Sequence, residues 1–79
     1  MVVMKTDWVL TESAKGIIEL MGVGEREVII TCEQPDWIYE SQVFAGAKVA
    51  LGGRLAVAHD ETNKIVLHAT WRYDSWRKA

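Results

Sequence analysis

Cysteine occurs once in this chain, at Cys32, so no internal disulfide can staple the fold and no thiol pair has metal-ligand spacing. Such usage fits a reducing compartment, and a cytoplasmic protein is the expectation. Proline also occurs once, at Pro35, and no low-complexity run is long enough to behave as a tail. Neither sign of charge dominates: nine Lys and Arg stand against eleven Asp and Glu, a net charge of −2. No global basic field is available to draw in nucleic acid, so RNA binding would need a local patch. Long apolar runs are missing too. No stretch approaches the roughly 20 residues of a membrane span, and "MVVMKTDWVL" carries Lys5 and Asp7 where a signal peptide needs an unbroken apolar core. A soluble protein without a membrane partner is expected. "GVG" lacks the phosphate-loop pattern, and Gly52-Gly53 sits between strands where a turn or bulge explains it. No cofactor and no metal site are expected.

What remains is a small globular domain. Seventy-nine residues allow one unit, 1–79, with residues 73–79 read as a short C-terminal extension. A chain of this size buries only a little over about 60% of its unfolded surface, so its stability margin is thin. After a short extended stretch, Thr11 can cap a helix over 12–21 in which Ala14, Ile17, Ile18 and Met21 fall at i, i+3, i+4 and i+7. Gly22 stands where a left-handed C-cap would end it. "GEREVIITCEQPDW" is ambiguous. The β-branched run Val28 to Thr31 prefers a strand on propensity. Helical spacing instead groups Val28, Ile29 and Cys32, with Glu25 and Glu27 in the first turn and Pro35 just past the end. From Trp37 onward "WIYESQVF", "AKVALGG", "RLAVAH" and "KIVLHATWR" are short β-rich runs parted by glycines or by "DETN".

"LTESAKGIIELMGVGEREVIITCEQPD" followed by "AKVALGGRLAVAHDETNKIVLHATW" resembles the small domains allied to the RelE, ParE and BrnT toxins. In that group a strand runs into a helix near a Thr-x-His-Ala motif, an "RGI" turn leads to a second helix ending in "NP", and a curved antiparallel sheet follows. Thr11 and Ala14 match the helix-start motif, "MGVGEREV" replaces the turn, and "QPDW" replaces the "NP" end. The resemblance covers about residues 8–72. It implies a helix over 25–33 and an α+β fold, with two N-terminal helices on one face of a curved antiparallel sheet of about four strands. It also implies ribonuclease chemistry, but Ser13 stands where the motif has histidine. Residues 16–19 hold none of the arginines usual along that helix. The expected function is therefore a toxin-like protein, as from a phage or other mobile element, that binds a host or cognate protein while its ribonuclease chemistry is degenerate. An active endoribonuclease toxin paired with an antitoxin is the alternative.

Period-two alternation places the candidate site. With His59 opposite Ile65, Val57 opposite Leu67 and Leu55 opposite Ala69, these residues and Trp71 would form the core face. The other face would carry Arg54, Ala56, Ala58, Val66, His68, Thr70 and Arg72, extended by Lys48 and Ala50, with Val49 and Leu51 left for the core. Arg54, His68 and Arg72 are the candidate catalytic set, because guanidinium groups hold phosphate and an imidazole can move a proton. A solvated outer sheet face is the plainer reading of the same residues. His59 is read as a turn-adjacent surface residue and Cys32 as a buried small hydrophobe. Of the four tryptophans, Trp8 and Trp71 are assigned to the core. Trp37 and Trp76, with Tyr73 and Arg77, are the candidate partner-binding residues, since aromatics beside basic side chains suit protein hot spots or RNA stacking. The edge strand "WIYESQ" could pair with a second copy.

Overall fold

In the computed structural model, which describes residues 8–72, the chain turns into its first helix where Thr11 caps it. Thr11 Oγ1 accepts a hydrogen bond from the Ala14 amide at 3.1 Å, which satisfies one of the orphan donors of helix α1 (Glu12–Met21). The helix stops at Gly22, whose φ of 75° would strain a residue with a side chain. Ala14 and Ile18 are buried and Met21 packs beside them, as the spacing predicts, while Leu20 is exposed.

The ambiguous run is helix α2 (Glu25–Glu33). Helical geometry gathers Val28, Thr31 and Cys32 on one buried face, and Ile29 packs against the core at its edge. The Thr31 hydroxyl donates to the Glu27 carbonyl at 2.8 Å, so this β-branched residue is satisfied inside the helix. Local strand propensity loses here to packing. The helix lies against β3 (Lys48–Gly52) and β4 (Leu55–Asp60), and a Cβ on Gly52 would come within 3.2 Å of Thr31 Cγ2. Glycine permits that approach.

The sheet has five strands rather than about four, and it is mixed. Its order is β1-β5-β4-β3-β2, with β2 at Trp37–Glu40 and β1 (Val9–Leu10) paired parallel to β5 (Ile65–Trp71). The added member is the extended stretch before Thr11, whose two residues are too few to show a period. Both helices cover one face, as expected: Leu10, Leu55, Val57, Val66 and Ala69 pack with Trp8, Ala14, Ile18, Val23, Val28 and Cys32. Trp8 Nε1 also donates to Glu33 Oε2 at 3.1 Å and ties the start of the sheet to the end of α2. Among the described residues no helix is long and apolar enough to cross a membrane.

The β4–β5 hairpin departs from the expected register by one residue at the turn, where Asp60 rather than His59 opposes Ile65, and by one more beyond an extra residue in β5. Leu55 pairs with Trp71, Val57 with Ala69 and Ala58 with His68, but His59 pairs with Val66 and leaves Leu67 without an opposite number. Such a bulge shifts the ladder and exchanges the faces beyond it. Val66 is therefore fully buried beneath α1, whereas Ile65 and Leu67, expected in the core, are half-buried. Trp71, also assigned to the core, lies at the sheet's end with 42% of its surface exposed. Strand β3 is reversed as well. Gly52 pairs with Leu55, so Ala50 shares the covered face with Val57, while Val49 and Leu51 sit opposite Ala58 and Ala56.

His59 is not on the surface. Alternation from Leu55 and Val57 carries it onto the covered face, where it is fully buried, edge-on to Trp8 at 5.3 Å between ring centroids. Its Nδ1 lies 3.2 Å from the Val57 carbonyl, and among the described residues Nε2 meets no hydrogen-bond partner.

The bulge makes a sharp distinction between adjacent residues. Val66→Asp is expected to unfold the domain, because an unpaired buried charge costs more than a small domain's margin of about 5 kcal/mol. Ile65→Asp, on the other face beside the turn, is expected to keep a cooperative thermal melt. Circular dichroism decides, and a parent-like melt for Val66→Asp would show the register to be wrong.

Candidate functional site

The face of the sheet away from the helices is where polar and apolar side chains meet in the open. Residues Tyr39, Val49, Ala56, Ala58, His68 and Thr70 alternate onto it, and Ser41, Val43 and Phe44 of the β2–β3 connection border it. Together they line a groove of about 350 Å³. Its floor is low because the central strand contributes only alanines. Ala56 and Ala58 are nevertheless buried, since larger neighbours stand on either side.

Local sequence explains how the rim is held. Ser41 Oγ accepts from the amides of Val43 and Phe44 at 3.1 and 2.9 Å, and the Ser41 amide donates to the Ala47 carbonyl at 2.9 Å. This turn, completed by Gly46 at φ 81°, brings Phe44 over the sheet. Its ring lies 6.1 Å from that of His68 at a tilt of 39°. His68 is the residue immediately after the bulge, so the extra residue in β5 also decides that this imidazole faces the groove.

The candidate catalytic residues do not gather there. Arg54 and Arg72 are neighbours at the far end of the sheet, where the Arg72 amide donates to the Arg54 carbonyl at 2.9 Å. Their guanidinium groups go elsewhere. Arg54 holds both carboxylate oxygens of Glu27 on α2, through Nε at 2.9 Å and Nη2 at 3.0 Å, and lies over the Trp71 ring at 5.2 Å from its centroid. Arg72 reaches Asp36, just before β2, at 2.9 Å. His68 alone of the three lines the groove, and no Lys or Arg is among the groove's lining residues.

Trp37 is 65% exposed on β2 and shares the open face with Tyr39. Tyr73, Trp76 and Arg77, together with the rest of 73–79, lie outside the described residues. Sequence reasoning missed Tyr39, Val43, Phe44 and Val49. The available signal was Ser41-Gln42-Val43-Phe44-Ala45-Gly46, a serine and a glycine bracketing apolar residues in a connection that has no need of them. A broader hollow of about 470 Å³ lies between α2 and the β3–β4 turn, floored by Gly52 and Gly53. Arg26, Glu27, Ile30 and Thr31 of α2, with Gln34 at its end, line the other side. Burial, with the Glu33 charge beside it, pushes the Cys32 thiol up to about 12, which disfavours the thiolate. Among the described residues no three His, Cys, Asp or Glu stand close enough to hold a metal. Comparison with known protein families, with curated proteins and with solved structures finds no match.

The Glu27–Arg54 pair has a pH signature. The bidentate hydrogen bond from Arg54 holds the Glu27 carboxyl below its ordinary value of 4.5. A depressed carboxyl stabilises the fold above its unfolded value, and that contribution is lost as the pH falls through the folded one. Both side chains are substantially exposed, so the effect is small, as for surface pairs generally. Urea unfolding at pH 7 and pH 3 is expected to show a smaller acid-induced drop in midpoint for Glu27→Gln than for the parent. Equal drops would mean that the pair contributes nothing.

Proposed function

We propose that this protein is a small protein-binding module, toxin-like in plan, whose open sheet face receives a host or cognate partner and whose ribonuclease chemistry is degenerate. One observation carries the reading: the groove is lined by aromatic and small apolar side chains with a single imidazole and with no Lys or Arg. An RNA site needs cations for the phosphates, because those contacts supply most of the affinity. The two arginines that could serve are already held by Glu27 and Asp36. A protein partner needs the opposite: exposed aromatic anchors beside small residues that leave room for its own side chains. Trp37, Tyr39 and Phe44 around Ala56 and Ala58 supply that.

The resemblance to the RelE, ParE and BrnT group supports the reading in one respect and limits it in another. An α+β domain with two helices ahead of a sheet fits that group, while Ser13 in place of the motif histidine removes a reactive group from α1. The cytoplasm and a phage or mobile-element origin belong to this proposal. RNA remains the alternative partner. His68 would then serve as the acid or base, since it faces the groove near Thr70 and Tyr39.

Affinity capture from cell lysate and an RNA-cleavage assay on the purified protein separate the two. Phe44→Ala is expected to preserve the melting temperature to within a few degrees and to weaken capture of the partner over about thirtyfold, as loss of a 2 kcal/mol hot-spot side chain does. His68→Gln is expected to bind nearly as the parent does. RNA cleavage that falls by about 10²- to 10⁴-fold in His68→Gln, the range of general acid–base groups, with Phe44→Ala unaffected, would replace binding by catalysis.

A further inference from the structure

We propose that the exposed edge of β2 pairs antiparallel with β2 of a second copy, with Ile38 on the two-fold axis, to give one continuous sheet across a weak homodimer. The backbone supplies the first argument. The Ser41 amide bonds the Ala47 carbonyl, and Trp37 and Tyr39 pair with Leu51 and Val49 at alternate steps of the same ladder. In an antiparallel ladder inward and outward groups alternate residue by residue, so Ile38 and Glu40 aim their amides and carbonyls away from β3. Those groups await a neighbouring strand.

The edge is also undefended. Natural edges are blunted by short length, lysine, proline or bulges. At the opposite edge of the sheet β1 has only two residues, but β2 is Trp37-Ile38-Tyr39-Glu40, with neither lysine nor proline, and Trp37, Ile38 and Tyr39 are 65%, 36% and 41% exposed. Each of the four residues is exposed although it belongs to a paired strand.

A second copy fits this edge better than an arbitrary strand because the sequence is self-complementary about Ile38. Two-fold pairing that continues the sheet must match residues of the same face. Centring it on Ile38 sets Trp37 of each copy against Tyr39 of the other on the open face, and Ile38 against Ile38 on the helix side. Aromatic cross-strand pairs of this kind are favourable. Glu40 then falls opposite Asp36 of the other copy, whose charge Arg72 already offsets at 2.9 Å. The Asp36 amide is turned inward to the Leu51 carbonyl at 2.7 Å, so the backbone bonds across the axis centre on Ile38. A four-residue edge buries less than the roughly 1,200 Å² of a stable interface, so the dimer belongs to the weak class, with a dissociation constant on the order of 10–100 μM. The pairing would set the two grooves side by side on one surface.

Sedimentation velocity from about 5 to 500 μM tests it. The parent's mass is expected to rise from 8.9 kDa toward twice that value. Ile38→Lys introduces the charge that edges use for protection, and Ile38→Pro removes only an outward-facing amide, so both variants are expected to keep the parent's circular dichroism. Each is expected to raise the dissociation constant at least tenfold. A parent that stays monomeric at 500 μM overturns the proposal, as does association undiminished in Ile38→Lys, whose exposed position keeps that variant folded if the proline one is not. Tyr39 belongs to both the edge and the groove, but neither result decides the groove reading, which Phe44→Ala and His68→Gln test away from this edge.

Discussion

One extra residue in β5 governs what the rest of the sheet can do. Without the bulge at Leu67, the ladder that pairs Ala58 with His68 would continue with Leu67 opposite His59 and Val66 opposite Asp60, leaving Val66 outside. With it, Val66 enters the core beneath α1, and His68 and Thr70 face the open groove. Because side chains alternate with a period of two, a single insertion assigns an entire half-strand to one face or the other. Here it separates an apolar half that the helices cover from a mixed half that stays open. Strand β4 lies between the two and is buried on both sides, with Leu55, Val57 and His59 against the helices and Ala56 and Ala58 beneath the groove. The alanines are what make the second surface concave.

How much of this could be read from the sequence depends on whether the governing interaction was local. The ends of α1 were legible, because Thr11 and Gly22 act on backbone groups within four residues of themselves. Helix α2 was not legible from its own residues: the run from Val28 to Thr31 satisfies both periods, and contact with β3 and β4 decides between them. The α+β class was reached from element order together with the resemblance, while the fifth, parallel strand was not anticipated. Nor was the hairpin register, because a bulge leaves no mark in a run such as Ile65-Val66-Leu67 in which each residue is apolar. Trp71 shares the face of Leu55 but lies exposed at the sheet's end, and β3 turns its small residues Ala50 and Gly52 to the helix side, where Thr31 comes close, so the larger Val49 and Leu51 go to the open face. His59 was read as a surface residue because it stands beside the turn, although alternation from Leu55 and Val57 put it at the end of the covered face.

The candidate site was legible as a list of residues and not as an arrangement. His68 lies on β5, Arg54 and Arg72 stand just outside the adjoining ends of β4 and β5, and the carboxylates that engage the arginines come from distant segments, Glu27 on α2 and Asp36 before β2. No local pattern announces such partners. Arg54, held at two nitrogens by Glu27, would have to leave that carboxylate to meet a phosphate. The groove shows the converse. Its chemistry is apolar and its rim is a connection, Ser41 to Ala47, whose role emerges only when Phe44 is seen against His68.

If the open face is the working surface, a partner must perturb it and leave the helices alone. Nuclear magnetic resonance on isotope-labelled protein, titrated with the captured partner, reads this residue by residue. Shifts concentrated at Tyr39, Phe44, Ala58, His68 and Thr70, with α1 and the exposed side of α2 unchanged, are the predicted result. Shifts confined to the helices, or a response to RNA alone centred on Arg54 and Arg72, would contradict it.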